Sequence, residues 1–211
     1  MRNLLFGFMA VVALSITMAN GSFAAEEAKS KPSAMVMDEA AMKKMMEIAN
    51  PNENHKLLES LVGNWTYTVT MKMQPDAPTQ QSSGTNINKM IMGGRFLQQE
   101  VSGSMDMGGK SQPFNGFGLI GYDNMAQEFK GIWIDDMTTG MMNSVGHYDA
   151  KTKIITDKGT FSCLMTGQKN APFRSELKFI DNDNYGYAMY MMDKDGKEYK
   201  SMEILYKRKN K

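Results

Sequence analysis

Three observations on this 211-residue chain predict an all-β fold, an antiparallel up-and-down barrel of about ten strands preceded by short N-terminal helices. Between Trp65 and Arg208, apolar and polar residues alternate in short runs, the period of a strand with one buried and one wet face. Gly, Asp, Asn or Pro interrupts these runs at roughly ten-residue intervals, the spacing of hairpin turns. No stretch between the runs is long enough for the crossover helix that a parallel sheet requires. Closed barrels of this size often hold one small ligand, so the pattern predicts a container and leaves its contents open.

The N-terminus carries its own signal. Met1-Arg2-Asn3 is a short positive segment, Leu4 to Met18 is apolar, and Ser22-Phe23-Ala24 fits a small-x-small cleavage site. Residues 1–24 therefore read as a secretory signal peptide, with the protein exported to the periplasm or the extracellular space. An apolar run of about fifteen residues is shorter than the roughly twenty needed to span a bilayer, so no membrane span is expected in the mature chain. No cysteine near the cleavage site would take a lipid anchor. Residues 25–37, rich in Ala, Lys, Ser and Pro, read as a flexible lead.

From Asp38 the period becomes helical: Met42, Met45, Met46 and Ala49 share one face, and Asp38 is placed to cap the start. Residues 25–50 thus form a lead and a Met-rich helix, separate from a barrel domain over 51–211. Pro51 breaks the chain. A second short helix follows, with Asn52 as N-cap, Leu57, Leu58 and Leu61 on one face, and Gly63 to end it.

The first strand is the clearest, because Trp65, Tyr67, Val69, Met71 and Met73 alternate with Thr66, Thr68, Thr70, Lys72 and Gln74. Further strands read at Gly84 to Met92, Arg95 to Ser104, Phe114 to Tyr122 and Glu128 to Ile134. Others follow at Met141 to Tyr148, Lys153 to Thr156, Gly159 to Met165, Arg174 to Ile180, Tyr185 to Met192 and Glu198 to Lys207. Asp195-Gly196 is a strong hairpin signal, and Tyr122-Asp123-Asn124 and Asp181-Asn182-Asp183-Asn184 suit turns.

Charge and cysteine content narrow the function. The chain has 24 Lys and Arg against 23 Asp and Glu. Cleavage after residue 24 removes only Arg2 from this set, so the mature chain is near neutral and nothing suggests nucleic-acid binding. The cluster Lys207-Arg208-Lys209-Lys211 reads as a solvated tail, with contact to an anionic surface as the alternative. Cys163 is the single cysteine, so no intramolecular disulfide forms, and it reads as a small buried hydrophobe rather than a nucleophile.

Several segments in order carry a resemblance: His55 to Trp65, Gly93-Gly94-Arg95-Phe96-Leu97, Gly116-Phe117-Gly118, Gly121-Tyr122-Asp123, Trp133-Ile134-Asp135 and Met202 to Arg208. From about Pro51 to Arg208 the chain resembles a bacterial family known as domain of unknown function 1579. The Gly63-x-Trp65 element after a short helix is also similar to the opening of lipocalins, where the Trp closes one end of the barrel. The resemblance implies a calycin-like barrel and supplies no activity or catalytic residues.

Methionine is the compositional outlier, with 23 in the chain. Met35-x-Met37, Met71-x-Met73, Met90-x-Met92 and Met105-x-Met107 invite a copper(I) reading, since thioethers are soft ligands. The competing reading is stronger for Met71 and Met73, which continue the core stripe of their strand. His55 and His147 are the only imidazoles; His55 reads as a helix cap or packing group. His147 lies opposite Tyr148 by alternation and, if interior, would be a polar anchor or haem ligand, with a satisfied structural histidine as the stronger competing reading. Arg95 and Arg174 each open a strand, and a guanidinium inside a barrel would hold a carboxylate or phosphate. The alternative for both is a salt bridge at the rim. Asp181-Asn182-Asp183-Asn184 departs from a calcium loop at Tyr185 and Met192 and reads as a turn. Gly116-x-Gly118-x-x-Gly121 lies within a strand, where it relieves crowding rather than binding a dinucleotide.

The leading expectation is a barrel that binds a small, mostly apolar molecule, with Trp65, Tyr67, Phe117, Trp133 and Tyr187 as wall and Arg95 and His147 as polar anchor. An enzyme using the same cavity, haem-linked or isomerase-like with His147 as ligand or base, is the alternative. A copper- or oxidant-handling protein is the third. The sequence names no cofactor, ligand or oligomeric state, and it leaves the Met-rich helix as plug, lid or partner-binding element.

Overall fold

The structure, a computed structural model, describes residues 38–106, 109–164 and 166–209. The expected signal peptide and lead, with Met35 and Met37, lie outside the described residues, as do Met107, Met165 and Lys211. Two helices precede ten strands: α1 (Glu39–Ala49), α2 (Glu53–Glu59), β1 (Gly63–Met71), β2 (Gln80–Ile91), β3 (Phe96–Asp106), β4 (Ser111–Asp123) and β5 (Glu128–Asp135). The remaining strands are β6 (Met142–Asp149), β7 (Ile154–Phe161), β8 (Ala171–Phe179), β9 (Asn184–Met192) and β10 (Glu198–Arg208).

Each strand pairs antiparallel with its sequence neighbours, and β10 returns to β1 with Trp65 opposite Arg208 and Met71 opposite Met202, closing the barrel. Closure pairs the edges that an open sheet would leave exposed. The sequence reading divided β7 in two at Asp157-Lys158. In the structure the backbone runs straight through, with Asp157 opposite Gly146 of β6 and Ser175 of β8. Asp157 therefore shares the inward face of the strand with Ile155 and Gly159.

One end of the barrel is filled. Leu58 and Leu61 enter it from α2 and the turn that follows, and pack in one cluster with Trp65, Leu97, Phe129 and Tyr185. Trp65, 1% exposed, donates its indole N–H to the Leu61 carbonyl at 2.9 Å. The Arg208 guanidinium stacks over Trp65 at 4.1 Å from the ring centroid. It also donates to the carbonyls of Val62 (2.7 Å), Ser60 (3.1 Å) and Asn182 (2.7 Å). The last carbonyls of α2 are taken by the turn itself, through the Ser60, Leu61 and Val62 N–H groups and the Ser60 hydroxyl, and Arg208 holds the carbonyls of Ser60 and Val62 that follow. The predicted solvated tail is thus corrected at Arg208, which is the last residue of β10 and part of this seal.

Both helices begin as expected. Asp38 accepts from the Ala41 N–H at 2.7 Å, and Asn52 opens α2 with a capping box in which His55 Nδ1 accepts from the Asn52 N–H at 3.0 Å. Helix α1 lies at the filled end, where Arg95 donates to the Ala49 carbonyl (3.1 Å) and Asn124 to those of Ile48 (2.7 Å) and Asn50 (2.8 Å). Its Met42, Met45 and Met46 are exposed, so α1 neither plugs the barrel nor covers its open end.

Removing the Trp65 side chain deletes a large buried ring, the hydrogen bond to Leu61 and the stacking partner of Arg208. Trp65→Ala is expected to cost about 3–5 kcal/mol, lowering the midpoint of thermal unfolding by roughly 10 °C or more. Differential scanning calorimetry reads this directly, and a shift of under about 3 °C, which is only about 1 kcal/mol, would mean that this end does not depend on the Trp65 seal.

Candidate ligand-binding site

Beyond the plug the barrel opens into a cavity of about 880 Å³, within the size range of sites for drug-sized ligands. The side chains that reach it alternate along each strand. Trp133, Phe161, Phe173, Tyr187, Met189, Met202 and Ile204 form apolar and aromatic wall, and Ile155, Leu177, Tyr185 and Tyr206 belong both to the cavity lining and to the core cluster or its margin. The loops after β1, β5, β7 and β9 form the rim.

The space exists because small residues occupy inward positions in the middle of the barrel. Gly118, Gly131, Ser144 and Ser175 all line the cavity. Gly116 and Gly118 let the Trp133 indole lie flat against β4; a Cβ on Gly116 would collide with the ring. A Cβ on Gly131 would come within 2.7 Å of the Ser144 hydroxyl. This is the crowding relief expected of the glycine run, and it places Trp133 as a wall. The Trp133 indole N–H donates to Asp135 at 3.0 Å, and Asp135 also accepts from the Met137 and Thr138 N–H groups at 3.1 Å each.

Polar side chains interrupt the apolar interior, among them Gln99 and Ser201 on the wall and two sets with unpartnered oxygens. Near the plug, the Tyr185 hydroxyl accepts from the Asn86 (2.9 Å) and Asn88 (3.2 Å) side-chain amides, and Asn88 also donates to the Leu61 carbonyl at 2.9 Å. The Oδ1 atoms of Asn86 and Asn88 are buried without a hydrogen-bond partner. Higher up, Asp157 lines the cavity from mid-strand. Its Oδ2 accepts from the Ser144 hydroxyl at 3.3 Å, and its Oδ1 is buried and unpartnered. Burial pushes the Asp157 carboxyl up to about 6, against smaller opposing effects of Ser144 and His147. Burial likewise pushes the neighbouring Tyr187 hydroxyl up to about 12.

Of the residues expected at the site, Trp133 and Tyr187 line the cavity. Trp65 and Tyr67 point inward but are packed into the filled interior; the Tyr67 ring sits over Gly84 and Gly103, where added Cβ atoms would collide with it. Phe117 is on the outer face and 36% exposed, because Gly116 and Gly118 hold the inward positions on either side. His147 is also outward, its side chain 71% exposed and 3.9 Å from Glu128, because its neighbour Tyr148 takes the inward position against Phe179. It is therefore not placed as an anchor or haem ligand inside the barrel. Arg95 lies in the β2–β3 turn, where its guanidinium holds the Ala49 and Met92 carbonyls instead of a ligand or a carboxylate.

Other candidates resolve locally. Arg174 lies outside the cavity, pairing with Glu176 and, through two contacts of 2.9 and 2.8 Å, with Glu198, while stacking on Tyr190. His55 is buried edge-on to Tyr122 and caps α2, and desolvation lowers its pKa. The Asp181 carboxylate is occupied within its turn by the Asp183 N–H and the Asn184 amide. Cys163 is buried just beyond β7 at the rim. Met71, Met142, Met189, Met191 and Met202 bring thioethers to the cavity wall, and Met92 is exposed in a turn. Among the described residues, no three His, Cys, Asp or Glu side chains cluster as metal ligands.

Sequence reasoning missed Asp157, since Asp157-Lys158-Gly159 has the composition of a turn. The available signal was its parity with Ile155 within one uninterrupted run.

A family model described as protein of unknown function (DUF1579) matches residues 50–208. No curated protein matches the sequence. Among solved structures, the chain is similar to the crystal structure of Rv2717c from M. tuberculosis, with a TM-score of 0.57 and 14% identity over 76% of this chain and 100% of that one. It is also similar to the S-type phycobiliprotein lyase CPES from Guillardia theta, with a TM-score of 0.51 and 9% identity over 75% of this chain and 93% of that one. At these identities both show a shared fold. Among the described residues, no helix is long and apolar enough to cross a membrane.

The raised Asp157 pKa sets a pH dependence. Between about 4 and 6 the folded state holds a proton that the unfolded state has released, so the contribution of Asp157 to stability falls as pH rises through that window. Asp157→Asn removes this penalty and is expected to stabilise the protein at pH 7.5 by on the order of 2–3 kcal/mol while changing little at pH 4. Urea unfolding of both proteins at the two pH values measures the difference. Equal gaps between variant and parent at pH 4 and 7.5 would refute the desolvated carboxyl.

Proposed function

We propose that this chain, which belongs to the DUF1579 family of proteins of unknown function, binds one small, mostly apolar molecule in its barrel. The observation that carries this reading is the cavity of about 880 Å³, sealed at one end, open at the other and walled by aromatic and thioether side chains. A well-packed interior leaves few voids larger than water, so a space of this size held open by glycine and serine positions supports a role in binding. Trp133 and Tyr187 provide rigid flat wall, and Met189 and Met202 adapt their shape to the occupant. Export, read from residues 1–24, belongs to the same proposal: the barrel would meet its ligand outside the cytoplasm.

The phycobiliprotein lyase from Guillardia theta shares the fold alone. The class of ligand here rests on the walls of this cavity. The enzyme reading built on His147 draws no support from its outward position.

Native against denaturing mass spectrometry on the protein purified from its natural compartment is expected to show an organic mass that is released on unfolding. With the emptied protein, the neutral dye Nile red is expected to bind with about one-to-one stoichiometry and increased fluorescence. Met202→Trp, which adds bulk to the wall, is expected to weaken dye binding at least about tenfold, a loss of about 1.4 kcal/mol, with the thermal midpoint within a few degrees of the parent. Unchanged dye affinity in a folded Met202→Trp protein would place binding elsewhere and sink this reading.

A further inference from the structure

Within the cavity, the charged residues Lys72, Asp76, Asp193, Lys194 and Asp195 belong to rim loops, and Asp135 ends its strand. Asp157 differs from all of them, since it stands mid-strand inside the barrel. Its surroundings are Ser144 and Gly146 from β6, Ser175 from β8 and Tyr187 from β9. None of these is a cation. His147, the nearest imidazole along β6, is on the outer face. A carboxylate here has one hydroxyl donor for two oxygens, and one oxygen has none.

A carboxylate with one buried, unpartnered oxygen destabilises a fold, and a small apolar residue at position 157 would not carry that penalty. Gly146 brings β6 into close contact with β7 here, since a Cβ there would collide with Asp157 Oδ1 and with the backbone of Thr156 and Asp157. What the site lacks is a positive charge with N–H donors, arriving with an apolar body that suits the walls.

Resting on the cavity as the binding site, we propose that its ligand is an apolar molecule bearing a protonated amine, with Asp157 as the counter-ion. The ammonium group takes the partly desolvated carboxylate as acceptor, where an ion pair completed by hydrogen bonds is stronger than in bulk water. The apolar body lies against Trp133 and Tyr187. A fatty acid or other anion would meet the carboxylate with like charge, so the same residue discriminates against anionic amphiphiles. The raised carboxyl pKa agrees with an environment that penalises the unpaired charge.

Octylamine, octanol and octanoate share one tail and differ in head group, and competition of each with Nile red on the full emptied protein at pH 7.5 tests the assignment. Octylamine is expected to bind at least about tenfold more tightly than octanol, with octanoate weakest. In Asp157→Asn the amine and the alcohol are expected to fall within about twofold of each other. Equal binding of amine and alcohol by the unaltered protein, or tighter binding of octanoate, overturns the counter-ion while leaving the cavity reading intact. A preference for the amine that survives in Asp157→Asn also overturns it. Failure of Nile red and all three ligands to bind overturns the cavity reading itself. The three-ligand comparison on the parent protein needs no variant, so the test stands even if Asp157→Asn does not fold.

Discussion

The seal at one end of the barrel is the constraint on which the rest depends. Trp65, Arg208 and the carbonyls after α2 form one connected unit: the indole donates to Leu61, and the guanidinium covers the indole and holds Ser60 and Val62. Because Trp65 is paired with Arg208 across the β1–β10 junction, the same residue that holds the turn after α2 also fixes the register in which the barrel closes. A slip of one residue there would turn every inward side chain of β1 outward. With closure and end-plug joined in this way, the middle of the barrel is released from filling its own interior. Ten strands enclose more space than glycine and serine side chains fill, and the structure tolerates this because Leu58, Leu61, Leu97 and Phe129 concentrate the packing at the sealed end.

Between plug and cavity lies a polar floor. Asn86 and Asn88 aim their amide N–H groups at the Tyr185 hydroxyl from adjacent inward positions of β2, and Tyr185 stacks on Tyr206 and meets Trp65 edge-on. Each asparagine keeps an unpartnered oxygen, at a cost of about 1–3 kcal/mol per group. Apolar residues of similar volume would avoid that cost but would extend the cavity wall into the plug without a directional contact. The amide–hydroxyl bonds instead orient the Tyr185 ring, which meets Trp65 of the seal and also lines the cavity.

Much of this was legible from alternation alone. Period-two patterning is strong where one face is packed, as in Trp65, Tyr67 and Val69 against three threonines, and there the reading of strand and face agrees with the structure. It weakens where the inward residues are small or polar. Asp157, Ser144 and Gly131 face the cavity, yet each is a residue type found at turns and on wet surfaces, so β7 reads as two strands and its carboxylate is hidden. Phe117, Arg95 and His147 failed in the opposite direction. An aromatic ring, a guanidinium and an imidazole suggest a site by chemistry, whereas their positions are decided by the parity of their neighbours and by a helix end that needed a donor.

The residues that escaped the sequence reading did so for the same reason that the cavity exists. A chain optimised for packing would place branched side chains at 131, 144, 157 and 175; this one places glycine, serine and an acid there, losing apolar burial at each and adding the desolvation of a carboxylate. The loss is local, since the outer face keeps its ordinary pairs, such as Arg174 with Glu176 and Glu198, and the sealed end keeps its dense core. A stability deficit confined to one surface of one cavity, inside an otherwise consistent barrel, is the pattern expected where binding rather than folding determines which residues are present. It also explains why the unfavourable groups face a common space: a single ligand with an apolar body and a charged head can compensate the missing contacts and the unpaired carboxylate together.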